Sequence, residues 1–330
     1  MNKKQSTKKT ESDVSTTTRS TQSSLDKYNN SARASTSRLD YKAMFTNLSR
    51  FNHSARQPHI QDFGQFHLPP LPVSLIASGP SLIDCMDDLR SVPTTTITAP
   101  TALEYLLNCE IPVDAVTIVD PNPVGGRILR GLNYVGPILA SPIAGFDPRD
   151  SNAVYSWKPY LENLGANPEY TMFNQAIDGL CPFFDTWILQ AGCVFNSMVL
   201  LICEYARARN FGSPLIHAYG ADFCFASGPA PTCHRVPISP APGYEDDPHP
   251  FTTEADLNPI QVTFNHDGHE HTYSTTPTLR SYAVNLAKII HTTGVEIEFH
   301  GRSLMNEFLD HHARDPEHSL IHFIGDLYAE

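Results

Sequence analysis

Several fingerprints are missing from this chain of 330 residues, and each absence removes a class of function. No G-x-G-x-x-G follows the first strand-like run, so the usual dinucleotide-binding turn is excluded. There is no P-loop and no Ser-His-Asp hydrolase signature. Cysteine is sparse: Cys85, Cys109, Cys181, Cys193, Cys203, Cys224 and Cys233 form no C-x-x-C pair, a pattern of reduced thiols seated in apolar stretches. No apolar h-region opens the chain and no apolar run reaches the length of a membrane span, so the expectation is a soluble, cytoplasmic protein without a membrane partner.

Residues 1–68 lack the aliphatic content a core requires and are rich in Ser, Thr, Asn and Lys, which reads as a disordered N-terminal arm. The arm carries eleven Lys/Arg against five Asp/Glu, a balance of +6, while the remainder carries twelve against thirty, a balance of −18. Nucleic acid is therefore expected only through the arm, and its scattered basic residues with few aromatics fit a solubilising tail better. Leu39, Tyr41, Met44, Phe45, Leu48 and Phe51 recur at helical spacing, predicting a short amphipathic helix over 38–51 that docks on the body or on a partner.

From residue 69 to 305, short β-branched runs alternate with helical segments, which predicts one α/β domain with a Rossmann-like, mostly parallel open sheet and helices on both faces. Strands are expected at 73–78, 94–100, 115–120, from 136, at 214–223 and at 295–301, the last with the alternation of an edge. Helices are expected at 82–89, 101–107, from about 190 to 209, and at 279–292. The stretch 146–182 is less regular, 224–259 reads as an irregular Pro- and acid-rich insertion, and 306–330 as a C-terminal extension packed on the domain.

In open α/β sheets ligands bind beyond the carboxyl ends of the strands, so strand-end residues carry the chemistry. The run V-S-L-I-A-S-G-P-S-L places Ser78, Gly79, Pro80 and Ser81 in a strand-to-helix turn, where free amides and a helix dipole favour an anion. Such a turn is also an ordinary βα connection with Ser81 as N-cap. Asp120 ends a strand before Pro-Asn-Pro, where a carboxylate ligates Mg2+ or merely caps its own Asx turn. Asp222 ends another strand, as a second carboxylate sharing that metal or as a base. Gly192, Asn196 and Ser197 open a helix as a second anion cradle or a plain capped terminus. His266, His269 and His271 in N-H-D-G-H-E-H lie at a predicted hairpin tip, a reading preferred over a metal site. His217 sits inside a strand and reads as packed, whereas His300 ends one and is better placed as a base.

The set I-A-S-G-P-S-L (76–82), T-I-V-D-P-N-P (117–123), Q-A-G-C-V-F-N-S (190–197) and I-H-A-Y-G-A-D-F (216–223) resembles the MptE-like domain family. That family groups 6-hydroxymethyl-dihydropterin diphosphokinases with Maf flagellin-glycosylation factors and phage proteins, and the turn also resembles that of bacterial sialyltransferases. The resemblance covers residues 70 to 305 and implies a nucleotide-dependent transferase, diphosphokinase-like or glycosyltransferase-like. It would take ATP or a CMP-sugar and pass a group to a pterin or a sugar-bearing polymer. It implies phosphates near Gly79 and Ser81, with Asn122, Gly192, Asn196 and Ser197 on the same rim and Mg2+ on Asp120. The chain departs from the diphosphokinases after Asp120, where Pro-Asn-Pro supplies no second acid. The alternative class is a non-catalytic phage or accessory binding protein that keeps the fold without the chemistry.

Overall fold

The computed structural model describes residues 41–54, 59–68, 72–147, 153–160, 168–190, 192–225, 259–266 and 269–328. The tetrapeptide Val73–Ile76 forms β2, and its alternation decides the architecture. Val73 and Leu75 point to one hydrophobic cluster while Ile76 points to another on the opposite face, and all are buried. Both faces of this strand are therefore covered, as a central parallel strand requires.

In chain order the elements are α1 (Tyr41–Ser54), β1 (Ile60–Asp62), β2, a 3-10 turn (Pro80–Ile83), α2 (Met86–Ser91), β3 (Thr95–Thr98), α3 (Pro100–Asn108), β4 (Ala115–Ile118), α4 (Val124–Gly131), β5 (Ile138–Ala140) and β6 (Val154–Ser156). There follow β7 (Lys158–Tyr160), α5 (Pro168–Leu180), β8 (Trp187–Leu189), α6 (Val194–Ala208), β9 (Leu215–Tyr219), β10 (Ile260–His266), β11 (His269–Thr275), α7 (Pro277–Thr293), β12 (Glu296–His300), α8 (Leu304–Arg314) and α9 (Ser319–Leu327).

Eight strands form one parallel sheet in the order β1-β6-β5-β4-β3-β2-β9-β12. Helices α6 and α7 cover one face through Phe195, Met198, Leu201, Leu286 and Ile290. Helices α1 to α5 cover the other through residues such as Leu48, Leu103, Leu106, Leu129 and Phe173. This is a Rossmann-like α/β fold. β12 lies at the sheet edge and exposes alternate residues, as its sequence predicted.

Local signals set the element ends. Thr276 caps α7 by accepting from the Leu279 amide, Pro277 occupies its first turn, and Gly294 closes it at φ 65°. Ser303 caps α8 in the same way through the Met305 amide. β10 and β11 form the expected antiparallel hairpin, pairing Val262 with Tyr273 and Phe264 with His271, while its turn at 267–268 lies outside the described residues.

Three expectations change. The helix expected over 82–89 is a 3-10 turn followed by a separate short helix, because Asp84 and Cys85 break the register between them. Within the stretch expected as an arm up to residue 68, α1 covers the helix expected over 38–51, and the edge strand β1 joins the sheet, since Ile60 pairs with Val154 far along the chain. The stretch read as less regular supplies β6 to the main sheet, β7, which pairs with β8 in a second small parallel sheet, and α5. Residues 1–40 and the insertion over 226–258 lie outside the described residues.

Helix α1 seats Met44, Leu48 and Phe51 in the core, with Phe51 near Phe184 and Phe45 near Phe173. Leu48→Ala is expected to lower the unfolding free energy by about 2–4 kcal/mol. Urea denaturation measures it, and a loss under about 0.5 kcal/mol would show that α1 is peripheral.

Candidate functional site at the switch point of the sheet

The chain leaves β2 toward β3 on one side and later returns to β9 on the other, so the strand order reverses between β2 and β9. Such a switch point is where open α/β sheets place ligands, beyond the carboxyl ends of the strands. Ser78, Gly79, Pro80 and Ser81 follow β2 there, and Gly220, Ala221 and Asp222 follow β9.

The two loops run in contact. The Ala77 amide donates to the Tyr219 carbonyl at 2.9 Å, and the Gly79 amide to the Gly220 carbonyl at 2.8 Å. A Cβ on Gly79 would stand 2.4 Å from the Gly220 carbonyl oxygen and 2.7 Å from Asp222 Cγ. Gly220 holds φ +61° and faces the Ala77 carbonyl in turn. Gly301, at φ +86° after β12, lies against Ser81 and Cys85. Bare glycines thus let three strand ends converge on one point.

Asp222 occupies that point, 4% exposed. Its Oδ2 accepts from the Ser81 amide at 2.8 Å, and its Oδ1 accepts from the Ser81 hydroxyl. Its own carbonyl accepts from the Leu304 amide at 3.0 Å, joining the site to the start of α8. Burial pushes the Asp222 carboxyl up to about 6, against the opposing pull of the Ser81 bonds and Arg302, while Asp84 adds to the rise. The donor that the sequence offers to a phosphate is bonded here to an internal carboxylate. Beside it, Thr101 Oγ1 donates to Ser78 Oγ at 3.0 Å, where α3 begins behind Ala99 without a side-chain cap.

The other candidate residues lie apart. Asp120 and Asn122 are exposed beyond β4, and each caps its own turn: Asp120 Oδ1 accepts from the Asn122 amide at 2.8 Å, Asn122 Oδ1 from the Val124 amide at 3.1 Å. Asp120 is separated from Asp222 by β3 and β2, three strand spacings or about 14 Å along the rim. The two carboxylates therefore do not share one Mg2+, whose ligands lie about 2 Å from the ion.

Gly192, at φ +87°, precedes α6 and lies against Tyr282. In the first turn of α6, Asn196 donates to the Tyr282 carbonyl at 3.0 Å and Ser197 to the Cys193 carbonyl at 3.0 Å, so both side chains hold the helix in place. The neighbouring Phe195 packs on Phe223, next to Asp222, which brings the start of α6 beside the loop that carries Asp222.

His271 pairs with the buried Glu307 at 3.0 Å, a bond Glu307 also accepts from Tyr273 at 2.6 Å. His269 lies on an exposed part of the hairpin, and the His266 side chain lies outside the described residues. Sequence reasoning missed Arg302 and Ser303; the latter donates to the Ala221 carbonyl at 2.6 Å and braces the loop that carries Asp222. Their sole signal was adjacency to Gly301 at a strand end.

The fold defines a Rossmann-like α/β protein whose candidate site lies at the carboxyl ends of the strands. No family model matches the chain, and no curated protein matches it. Among solved structures it is similar to a MAf glycosyltransferase from Magnetospirillum magneticum AMB-1, at 13% identity over 79% of this chain with a TM-score of 0.48. This chain spans 37% of that protein's length.

Two outcomes follow from the crossing of the loops. Gly79→Ala puts a methyl group into fixed backbone and should cost about 2–4 kcal/mol of stability, read by urea denaturation. Because the Asp222 carboxyl rises from 3.8 to about 6, the folded state holds that proton more tightly than the unfolded one. Its contribution to stability is full below about pH 4 and is lost as the pH rises through about 6. Asp222→Asn should therefore gain on the wild type by up to about 3 kcal/mol between pH 4 and 7. Parallel stability curves for the two proteins would show that Asp222 titrates normally.

Proposed function

We propose that this chain is a nucleotide-dependent transferase, diphosphokinase-like or glycosyltransferase-like, whose donor phosphates lie over the Ser78–Ser81 turn. The observation that supports this most directly is the meeting of strand ends at the strand-order reversal, with Gly79, Gly220 and Gly301 packed close around Asp222. Phosphate oxygens would be met by the Ser78 and Thr101 hydroxyls, by the start of α3 and by the Ser81 amide.

A phosphate at Ser81 competes with Asp222 for the same amide. Protonation of Asp222, or its displacement, relieves two like charges in one small space. Released from Ser81, the Asp222 carboxylate becomes an acceptor for the proton of an incoming hydroxyl, a task suited to a group titrating about a unit below neutral. The exposed carboxylate of Asp120 would join a Mg2+ otherwise ligated by water and substrate phosphates. That ion would neutralise phosphate charge.

The closed Ser81–Asp222 pair also supports a second reading, an accessory binding protein that keeps the fold without the chemistry. Calorimetric titration with CMP, CTP and ATP in Mg2+ separates the two. The transferase reading expects saturable heat and affinity that strengthens from pH 7.5 to 5.5, with the pH dependence reduced in Asp222→Asn. Absence of heat at millimolar nucleotide would sink it. Asp120→Asn should remove the Mg2+-dependent part of the affinity, and an unchanged value would take Asp120 out of the site.

A further inference from the structure

Parallel pairing at the sheet edge brings three donor side chains onto one face. Glu298 on β12 stands opposite His217 on β9, and His300 follows two residues later on the same side of its strand. His217 Nδ1 lies 3.1 Å from His300 Nε2 and 3.2 Å from Glu298 Oε2. All three donor atoms fall within 4.8 Å of one another. Three ligands of a tetrahedral zinc ion, bound at about 2.0–2.2 Å, stand about 3.3 Å apart, close to the separations of His217 from His300 and from Glu298.

The rings are held for the purpose. Tyr219 stacks on His300 with centroids 4.3 Å apart and planes 9° from parallel. His300 Nδ1 faces Asp88 Oδ2 of α2 at 3.8 Å, which turns its Nε2 toward His217. A carboxylate behind a ligating imidazole is the usual outer-shell support of a metal site. Both histidine side chains are close to 90% buried, whereas the Glu298 side chain is 61% exposed. A hydrogen-bonded cluster explains this arrangement less fully: one Nδ1–H on His217 serves either His300 or Glu298, while a cation serves all three.

We propose that His217, Glu298 and His300 bind a zinc-class divalent cation through three protein ligands, with the exposed side of Glu298 leaving a fourth position to solvent. The donor set, two imidazoles and one carboxylate with an open position, is the one found where zinc does chemistry rather than where it only staples a fold. The site is independent of the nucleotide reading. It adjoins the Ser81–Asp222 pair through Gly301, which follows His300 and packs on Ser81.

The full-length chain, stripped of metal with a chelator, would be titrated with Co2+ and then Zn2+. One Co2+ per chain should bind with the visible absorption of a four-coordinate ion and be displaced by Zn2+. Glu298→Gln, at an exposed side chain, should keep the fold, checked by thermal melting without metal, and weaken Co2+ binding by about 100-fold or more. His300→Gln should do the same, and Asp88→Asn should weaken it by about 10-fold. No stoichiometric binding, or an affinity unchanged in both Glu298→Gln and His300→Gln, would overturn the assignment.

Discussion

The carboxylate of Asp222, accepting from both the amide and the hydroxyl of Ser81, is the contact on which the meeting of the loops after β2 and β9 depends. It spans 141 positions of sequence and locks the loop after β2 to the loop after β9. Its geometry is available because Gly79 and Gly220 carry no Cβ at the crossing. The same residue's carbonyl receives the first amide of α8, so the C-terminal helices are referenced to the site as well. A buried anion is costly unless hydrogen-bonded, and the upward shift of its carboxyl measures what that cost leaves uncompensated.

Around that contact the molecule is built as two apolar layers on one sheet. β2 feeds both layers through alternate residues, and its neighbours β3 and β9 are likewise mostly buried. The edges behave differently. β12 keeps polar and charged residues on its outer positions, and there the buried imidazoles of His217 and His300 meet Glu298. Buried polar groups thus concentrate at the strand ends over the switch point and at the sheet edge beside it.

Much of the fold was legible because it rests on local patterns. The β-branched runs at 73–78, 94–100 and 115–120, the Pro and Thr before α7 and the Gly after it mark elements that hold in the structure with ends shifted by a few residues. β1 was not legible, since three residues in a polar segment become a strand only by pairing with Val154. The break between the 3-10 turn and α2 was likewise hidden, because Pro80 and Ser81 announce a helix that Asp84 and Cys85 then interrupt.

The sequence by itself determined the fold class and which residues end strands, since hydrophobic period and turn chemistry act over a few neighbouring positions. It therefore named Gly79, Ser81, Asp120, Asn196 and Asp222 as strand-end or helix-start residues. Tertiary structure alone decided which of them meet. Strand order puts Ser81 and Asp222 in hydrogen-bond contact and sets Asp120 three strands away. It also turned His217, read from sequence as a packed strand residue, into the neighbour of His300 and Glu298. Register between distant strands is fixed by the packing of the whole sheet, and no window of sequence contains that information.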